Sequence, residues 1–232
     1  MIAENLASIR ETLPAEVKLV AVSKFHPLES ILEAYDAGQR VFGENRPQEF
    51  EKKALAVAGM PGKTVEWHFL GHLQTNKLKM VLPYASLVQS VDSKHLLDEI
   101  QKWAADNGRV VNVLLEMHIG AEETKQGFVE EDVLDLLFTV ANSLAPDGRQ
   151  TRYPNIRFCG LMGMASHTDD EETIRADFAR ISDYLLYLKD LFPELPDFKE
   201  LSIGMSGDYR IALEYGATIV RIGTAIFGDR AV

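Results

Sequence analysis

The sequence predicts a single (β/α)8 barrel, the TIM-barrel fold of the α/β class, with an extra helix at its N-terminus. Eight apolar runs alternate with helical segments along the 232 residues. The length is close to the value of about 250 residues that is typical of this fold. No linker, composition break or repeat divides the chain, so we expect one domain over residues 1–232. An open doubly wound sheet shows the same alternation, but no G-x-G-x-x-G motif follows the first strand.

The predicted strands are short runs rich in apolar and β-branched residues, the pattern of parallel strands that are buried on both faces. In chain order they occupy residues 19–24, 41–43, 65–71, 87–91, 110–117, 156–164, 201–205 and 218–223.

Helices fill the intervals, and start or stop signals mark several of them. Pro27 suits a first helical turn, and Ser93 is a typical N-cap. Thr168 and Glu171 have the spacing of a capping box. A further helix is predicted at residues 72–81. The amphipathic helix at residues 2–13 precedes the first strand, so we expect it to cover the base of the barrel or the gap after the eighth strand.

Composition limits the partners and the compartment. The formal net charge of −11 argues against nucleic acid or an anionic membrane. The single cysteine, Cys159, excludes an internal disulfide and a cysteine-cluster metal site, and we read it as a buried, inert thiol. Neither a signal peptide nor a membrane span is visible. We therefore predict a cytoplasmic monomer or weak dimer without a metal.

The candidate site residues stand at the C-terminal ends of the predicted strands, where the site of such a barrel lies. These residues are Lys24, Asn45, His68 with His72, Glu116, Met164, Ser206, and Arg221 with Gly223 and Thr224. Several also have a purely structural interpretation. Asn45 and Ser206 suit helix caps, His68 suits a hydrogen-bonded core histidine, and Met164 suits packing.

Lys24 ends the first apolar run, where desolvation favours the neutral amine that condenses with an aldehyde. The structural alternative is a lysine whose stem lies on the core and whose ammonium group lies in water. Arg221 lies between two apolar residues of the eighth strand and needs a partner because its charge is permanent. That partner is either an acidic residue such as Glu116 or the ring nitrogen or carboxylate of a ligand.

The loops after the last two strands contain Ser206-Gly207 and Gly223-Thr224. In many barrels these two loops bind a phosphate group through backbone N–H groups. A lysine for an aldehyde, a phosphate site and a buried arginine together suit pyridoxal 5′-phosphate (PLP). We predict that Lys24 holds this cofactor as a Schiff base.

The same residues carry a resemblance to a known family, over about residues 17–228. The matching stretches are VAVSK at 20–24, FGEN at 42–45, WHFLGHLQTNK at 67–77, GLM at 160–162, GMSGD at 204–208 and VRIGTAIFG at 220–228. The sequence resembles the YggS/PROSC family of pyridoxal phosphate homeostasis proteins.

The resemblance implies a barrel related to the N-terminal domain of alanine racemase. It implies that Lys24 is the PLP lysine and that Ser206, Gly223 and Thr224 lie near the phosphate. Arg221 would then face the pyridine nitrogen, and Asn45 would line the pocket. The sequence departs from the family pattern at Phe25, at Arg46-Pro47 and in the loop 163–167.

Two functions remain open at this stage, a PLP-dependent racemase-like enzyme of low activity and a PLP carrier for vitamin B6 and amino-acid homeostasis. An arginine at the pyridine nitrogen leaves that nitrogen unprotonated, which weakens the cofactor as an electron sink. The printed chain ends soon after the eighth strand, so we expect no second domain to supply another base. His68, Tyr209 and Glu116 are candidate substitutes. We favour the carrier, with PLP-requiring apo-enzymes as candidate recipients.

Overall fold

Eight parallel strands form a closed barrel in which each strand pairs with the next and β8 pairs with β1. The computed structural model describes residues 1–120 and 127–228. Its strands are β1 (Lys18–Val22), β2 (Val41–Glu44), β3 (Glu66–Phe69), β4 (Ala85–Val91), β5 (Val111–Met117), β6 (Ile156–Gly163), β7 (Glu200–Ser202) and β8 (Ile219–Ile222). The predicted fold is confirmed.

Helices surround the barrel and connect successive strands. They are α1 (Ile2–Glu11), α2 (Leu28–Asp36), α3 (Pro47–Ala58), α4 (Leu78–Val81), α5 (Lys94–Asp106), α6 (Glu130–Ala141), α7 (Glu171–Leu191), α8 (Tyr209–Glu214) and α9 (Thr224–Phe227). None of the helices in the described ranges combines the length and the apolar character that a membrane span needs.

Several strands end earlier than the apolar runs predict. Strand β1 ends at Val22 instead of Lys24 because the backbone turns there, with the amide of His26 donating to the Ser23 carbonyl at 3.0 Å. Strand β7 ends at Ser202, and the chain turns at Gly204, where φ is +91°. The residues after these ends therefore belong to the loops that form the mouth of the barrel.

The helix predicted at residues 72–81 is wrong over its first part. A 3-10 turn spans Thr75–Lys77, and α4 adds a single further turn. The preceding segment is held against the barrel, because Ser90 Oγ donates to the Gly71 carbonyl at 2.6 Å and Leu73 is buried.

The predicted capping box at the start of α7 is also wrong. Asp170 is the N-cap, and its carboxylate accepts from the amide of Thr173 at 3.3 Å. Thr168 instead accepts from the Asp170 amide at 3.1 Å and fixes the turn before the helix. The predicted cap of Ser93 on α5 is confirmed, since its hydroxyl accepts from the Leu96 amide.

The strands are apolar on both faces because two cores lie against them. One core fills the space between the barrel and its helices. The other fills part of the barrel interior with Val20, Leu87, Leu114, Met162 and Ile219. Buried polar side chains share the interior with this second core.

Helix α1 packs beside α2 and α9, so it covers the gap that follows β8. Asn5 donates to the Ile226 carbonyl at 2.9 Å, and the Thr12 hydroxyl is hydrogen-bonded to the hydroxyl of Tyr209 at 3.0 Å. Of the two predicted positions for this helix, the gap is therefore the right one. Leu6 is the fully buried residue of α1.

We expect Leu6→Ala to lower the free energy of unfolding by about 2–5 kcal/mol, because it leaves a cavity where α1 closes the barrel. Urea unfolding followed by circular dichroism measures this loss. Ser8→Ala, on the exposed face of the same helix, is the control and should change stability by less than about 0.5 kcal/mol. Equal stabilities of the two variants would contradict the assigned position of α1.

Candidate functional site

The predicted site residues converge on the C-terminal mouth of the barrel, with His68 deeper inside. Lys24 lies two residues after β1, and Asn45 lies directly after β2. Arg221 is on β8, where it pairs in register with Val20 of β1. Met164, Ser206, Gly207 and Gly223 lie in the loops after β6, β7 and β8, and Thr224 is the first residue of α9.

The backbone on both sides of Lys24 is fixed by hydrogen bonds. On one side, Ser23 donates from its amide to the Gly43 carbonyl at 3.0 Å and from its hydroxyl to Glu44 at 2.6 Å. On the other side, the amide of Phe25 donates to Glu49 at 2.8 Å. Phe25 adopts φ of 67°, a left-handed conformation that a bulky residue adopts only when its surroundings impose it. The position of the half-buried Lys24 is therefore set by its neighbours.

A second lysine holds this turn in place. Lys53 Nζ donates to the Ser23 carbonyl at 2.8 Å and to Glu44 and Glu49 at 2.7 Å each. Lys53 and Glu44 are both buried, so this is a desolvated ion pair. Burial raises the pKa of Glu44, and Lys53 and Ser23 oppose that rise. We name Ser23, Glu44, Glu49 and Lys53 the Lys53 cluster.

Sequence reasoning missed the Lys53 cluster. The available signal was the spacing of Glu49 and Lys53, which are four residues apart on α3 and suit an ion pair. That spacing is common on exposed helix faces, and nothing in it indicates that the pair turns inward to β1 and β2.

Asn45 offers an acceptor at the mouth. Its Oδ1 atom is buried and has no hydrogen-bond partner among the described residues. The carbonyl of Asn45 lies so close to Gly71 that a Cβ added there would stand 2.0 Å from the oxygen. This fit holds Asn45 in place, and a ligand that donates a hydrogen bond would satisfy the orphaned oxygen.

Arg221 is buried and does not form the alternative ion pair with Glu116. Its Nη1 atom donates to the carbonyl and hydroxyl oxygens of Ser202, both at 2.7 Å, and Nη2 donates to the Gly163 carbonyl at 2.9 Å. Burial lowers the pKa of Arg221 to about 10, so the group remains charged near neutral pH. Two of the five N–H donors of the guanidinium have no partner within the described ranges, which suits a ligand acceptor.

The loops after β7 and β8 meet at Ser206. Its hydroxyl oxygen accepts from the amides of Gly223 at 3.3 Å and Ala225 at 3.4 Å. Two backbone N–H groups therefore point at one position between the loops, which the Ser206 hydroxyl oxygen occupies.

A cavity of about 690 Å³ opens beside these loops. Met164, Met205 and Asp208 line it together with Glu116. Burial, reinforced by Asp92, raises the pKa of Glu116 to about 7.

The three candidate bases differ in where they point. The hydroxyl of Tyr209 is hydrogen-bonded to Thr12 of α1, on the outside of the barrel. His68 is fully buried, and its two ring nitrogens contact Glu66 at 3.0 Å and Gln89 at 2.7 Å. Only Glu116, of these three, lines the cavity.

The geometry defines a class of barrel with a lysine after β1, an arginine on β8 and a serine that bridges the last two loops. Comparison with known proteins identifies a matching family and its members. Residues 1–231 match the family described as "Alanine racemase, N-terminal domain". The pyridoxal phosphate homeostasis protein of Aquifex aeolicus is 42% identical over 214 residues, which cover 92% of this chain and 87% of that protein. Its counterpart in Schizosaccharomyces pombe is 37% identical over 217 residues, covering 92% and 84%.

Solved structures of related proteins superpose on this chain. PipY of Synechococcus elongatus with PLP bound superposes with a TM-score of 0.87 at 35% identity, covering 98% of this chain and 100% of that one. The chain therefore belongs to the pyridoxal phosphate homeostasis (YggS/PROSC) family. Alanine racemase from E. faecalis shares the fold, with a TM-score of 0.70 at 16% identity over 98% of this chain and 57% of that one.

We expect Lys53→Met to lower the free energy of unfolding by about 3–5 kcal/mol, because Glu44 loses its buried partner. The proton on Glu44 is then held more tightly in the folded state than in the unfolded state. Stability consequently falls as pH rises through the folded-state pKa, and the loss relative to the unaltered protein is larger at about pH 8 than at about pH 5. Urea unfolding at both pH values measures it.

Two variants control this experiment. Lys52→Met, at an exposed position of α3, should behave like the unaltered protein at both pH values. Adding Glu44→Gln to Lys53→Met should remove the pH dependence. A loss that is equal at the two pH values would show that the buried charge of Glu44 is not its cause.

Proposed function

We propose that this protein binds PLP, holds it as a Schiff base on Lys24 and serves the intracellular homeostasis of PLP and amino acids. The observation that carries the proposal is the adjacency of β1 and β8, which brings the turn at Lys24 beside a buried, charged arginine. The relative from Synechococcus elongatus, described as having PLP bound, supports the same cofactor.

The residues of this chain divide the work of holding the cofactor. The neutral amine of Lys24 attacks the aldehyde carbon, a carbon–nitrogen double bond forms, and the carbonyl oxygen leaves as water. Arg221 would donate to the pyridine nitrogen, and the orphaned oxygen of Asn45 would accept a hydrogen bond from a donor of the bound group. Ser206 and the amides of Gly223 and Ala225 hold the phosphate. Bound PLP supplies an electron sink for chemistry on amines.

The arrangement favours a carrier over an efficient enzyme. A charged arginine that donates to the pyridine nitrogen keeps that nitrogen unprotonated, so carbanion charge is poorly stabilised. Tyr209 and His68 both point away from the cavity. We further propose that PLP passes to apo-enzymes in the cytoplasm, the compartment that the single cysteine favours.

A racemase-like activity is the second candidate function, and Glu116 is the observation that favours it. Its carboxyl group lines the cavity, and its pKa of about 7 suits proton transfer near neutral pH.

We expect Lys24→Ala to abolish the borohydride-sensitive yellow absorbance that the unaltered protein acquires with PLP, because the variant lacks the amine that is proposed to form the Schiff base. The matched control is Lys52→Ala, which removes an exposed lysine from α3 and should leave the absorbance unchanged. The measurement is a visible spectrum before and after borohydride. A yellow, reducible Lys24→Ala protein would refute the assignment of the lysine.

We expect the PLP-loaded protein to convert L-alanine or L-serine more slowly than about 1 per second, the low end of ordinary enzyme turnover. Chiral chromatography of the amino acids measures the rate. Glu116→Gln should leave PLP binding unchanged. Rapid turnover that Glu116→Gln abolishes would replace the carrier with the enzyme.

A further inference from the structure

A continuous hydrogen-bond chain crosses the interior of the barrel below the candidate site. It begins at Arg221 on β8, whose Nη1 atom donates to Ser202 Oγ at 2.7 Å. Ser202 Oγ donates in turn to Gln89 Oε1 of β4 at 2.6 Å. Ser202 and Gln89 are fully buried, so neither hydroxyl nor amide has water as an alternative partner.

The chain continues to the opposite end of the barrel. Gln89 Nε2 lies 2.7 Å from His68 Nδ1, and His68 Nε2 lies 3.0 Å from Glu66 Oε1. Glu66 is the first residue of β3, and it also accepts from Lys18 at the start of β1. The chain therefore connects the mouth of the barrel with a half-exposed carboxylate at its base.

Every bond in this chain runs in the same direction. Gln89 Oε1 accepts from Ser202, so the amide nitrogen of Gln89 faces His68 and must donate, because an amide nitrogen cannot accept. His68 Nδ1 is then the acceptor, and its single ring hydrogen is on Nε2, which donates to Glu66. Burial lowers the pKa of His68, which agrees with a neutral ring.

We propose that His68, Gln89 and Ser202 are positioning residues. Their hydrogen bonds hold the guanidinium of Arg221 at a fixed orientation and leave its two remaining donors directed to a ligand. This inference rests on the proposed role of Arg221 at the pyridine nitrogen of PLP.

The direct test uses the cofactor-free protein and nitrogen-15 NMR. We expect His68 to show a bare Nδ1 and a protonated Nε2. In Gln89→Met the side-chain N–H groups of Arg221 should exchange with water at least about tenfold faster, since a hydrogen bond that orients a charged group is lost. Gln39→Met is the matched control. Gln39 is also a buried glutamine, but it donates to the Leu19 and Val41 carbonyls and takes no part in the hydrogen-bond chain. This variant should leave the exchange of Arg221 unchanged.

The second test uses the PLP-loaded protein. Ser202→Ala is a small change that keeps the fold and removes the hydroxyl next to Arg221. We expect Ser202→Ala and Gln89→Met to shift the pH dependence of the PLP absorbance band and to weaken PLP binding about tenfold. Gln39→Met should do neither.

Two results would overturn the proposed hydrogen-bond chain. One is that the side-chain N–H groups of Arg221 exchange with water at an unchanged rate in a folded Gln89→Met protein. The other is that the His68 ring carries its hydrogen on Nδ1 alone. If the pH dependence of the PLP absorbance band is unchanged in Ser202→Ala, the hydrogen-bond chain does not position Arg221. Failure of the unaltered protein to acquire a Lys24-dependent chromophore would instead refute the proposed function, and the NMR result would still decide whether the chain exists.

Discussion

The site depends on a permanently charged guanidinium inside a closed barrel. Arg221 is buried and forms no ion pair with a carboxylate of the described residues, although Asp208 and Glu116 are close enough to favour its charge. A buried charge of this kind is strongly unfavourable unless hydrogen bonds replace its water. Two backbone carbonyls and the hydroxyl of Ser202 supply those bonds and still leave donors unused. We propose that the pyridine nitrogen of PLP is the acceptor that completes this arrangement.

A second buried charge in the same barrel, that of Lys53, is compensated by an ion pair. The ammonium group of Lys53 and the carboxylate of Glu44 compensate each other directly and hold the backbone beside Lys24. The Lys53–Glu44 pair therefore fixes the backbone beside Lys24. The hydrogen bonds to Ser202 and Gly163 fix Arg221. Because β1 and β8 are adjacent only in a closed barrel, closure of the sheet brings the turn at Lys24 and Arg221 together.

The fold was largely predictable because eight buried parallel strands leave eight apolar runs in the sequence. Strand ends were less predictable, since apolar character continues past Val22 and Ser202 while the backbone turns. Lys24 and Arg221 stood out as charges in apolar runs. Gln89 is likewise a polar residue within a predicted strand, Leu87–Val91, but an uncharged amide does not by itself indicate a role at a site. Its partners could not be read from the sequence, because contacts across the interior depend on the stagger of strands far apart in the chain.

The central claim is that PLP is bound covalently at the mouth by one particular lysine. Borohydride reduction of the PLP-loaded protein, followed by proteolysis and mass spectrometry, tests it most directly. The account predicts a single pyridoxyl group, on the peptide that contains Lys24. A pyridoxyl group on another lysine, or none on any peptide, would contradict it.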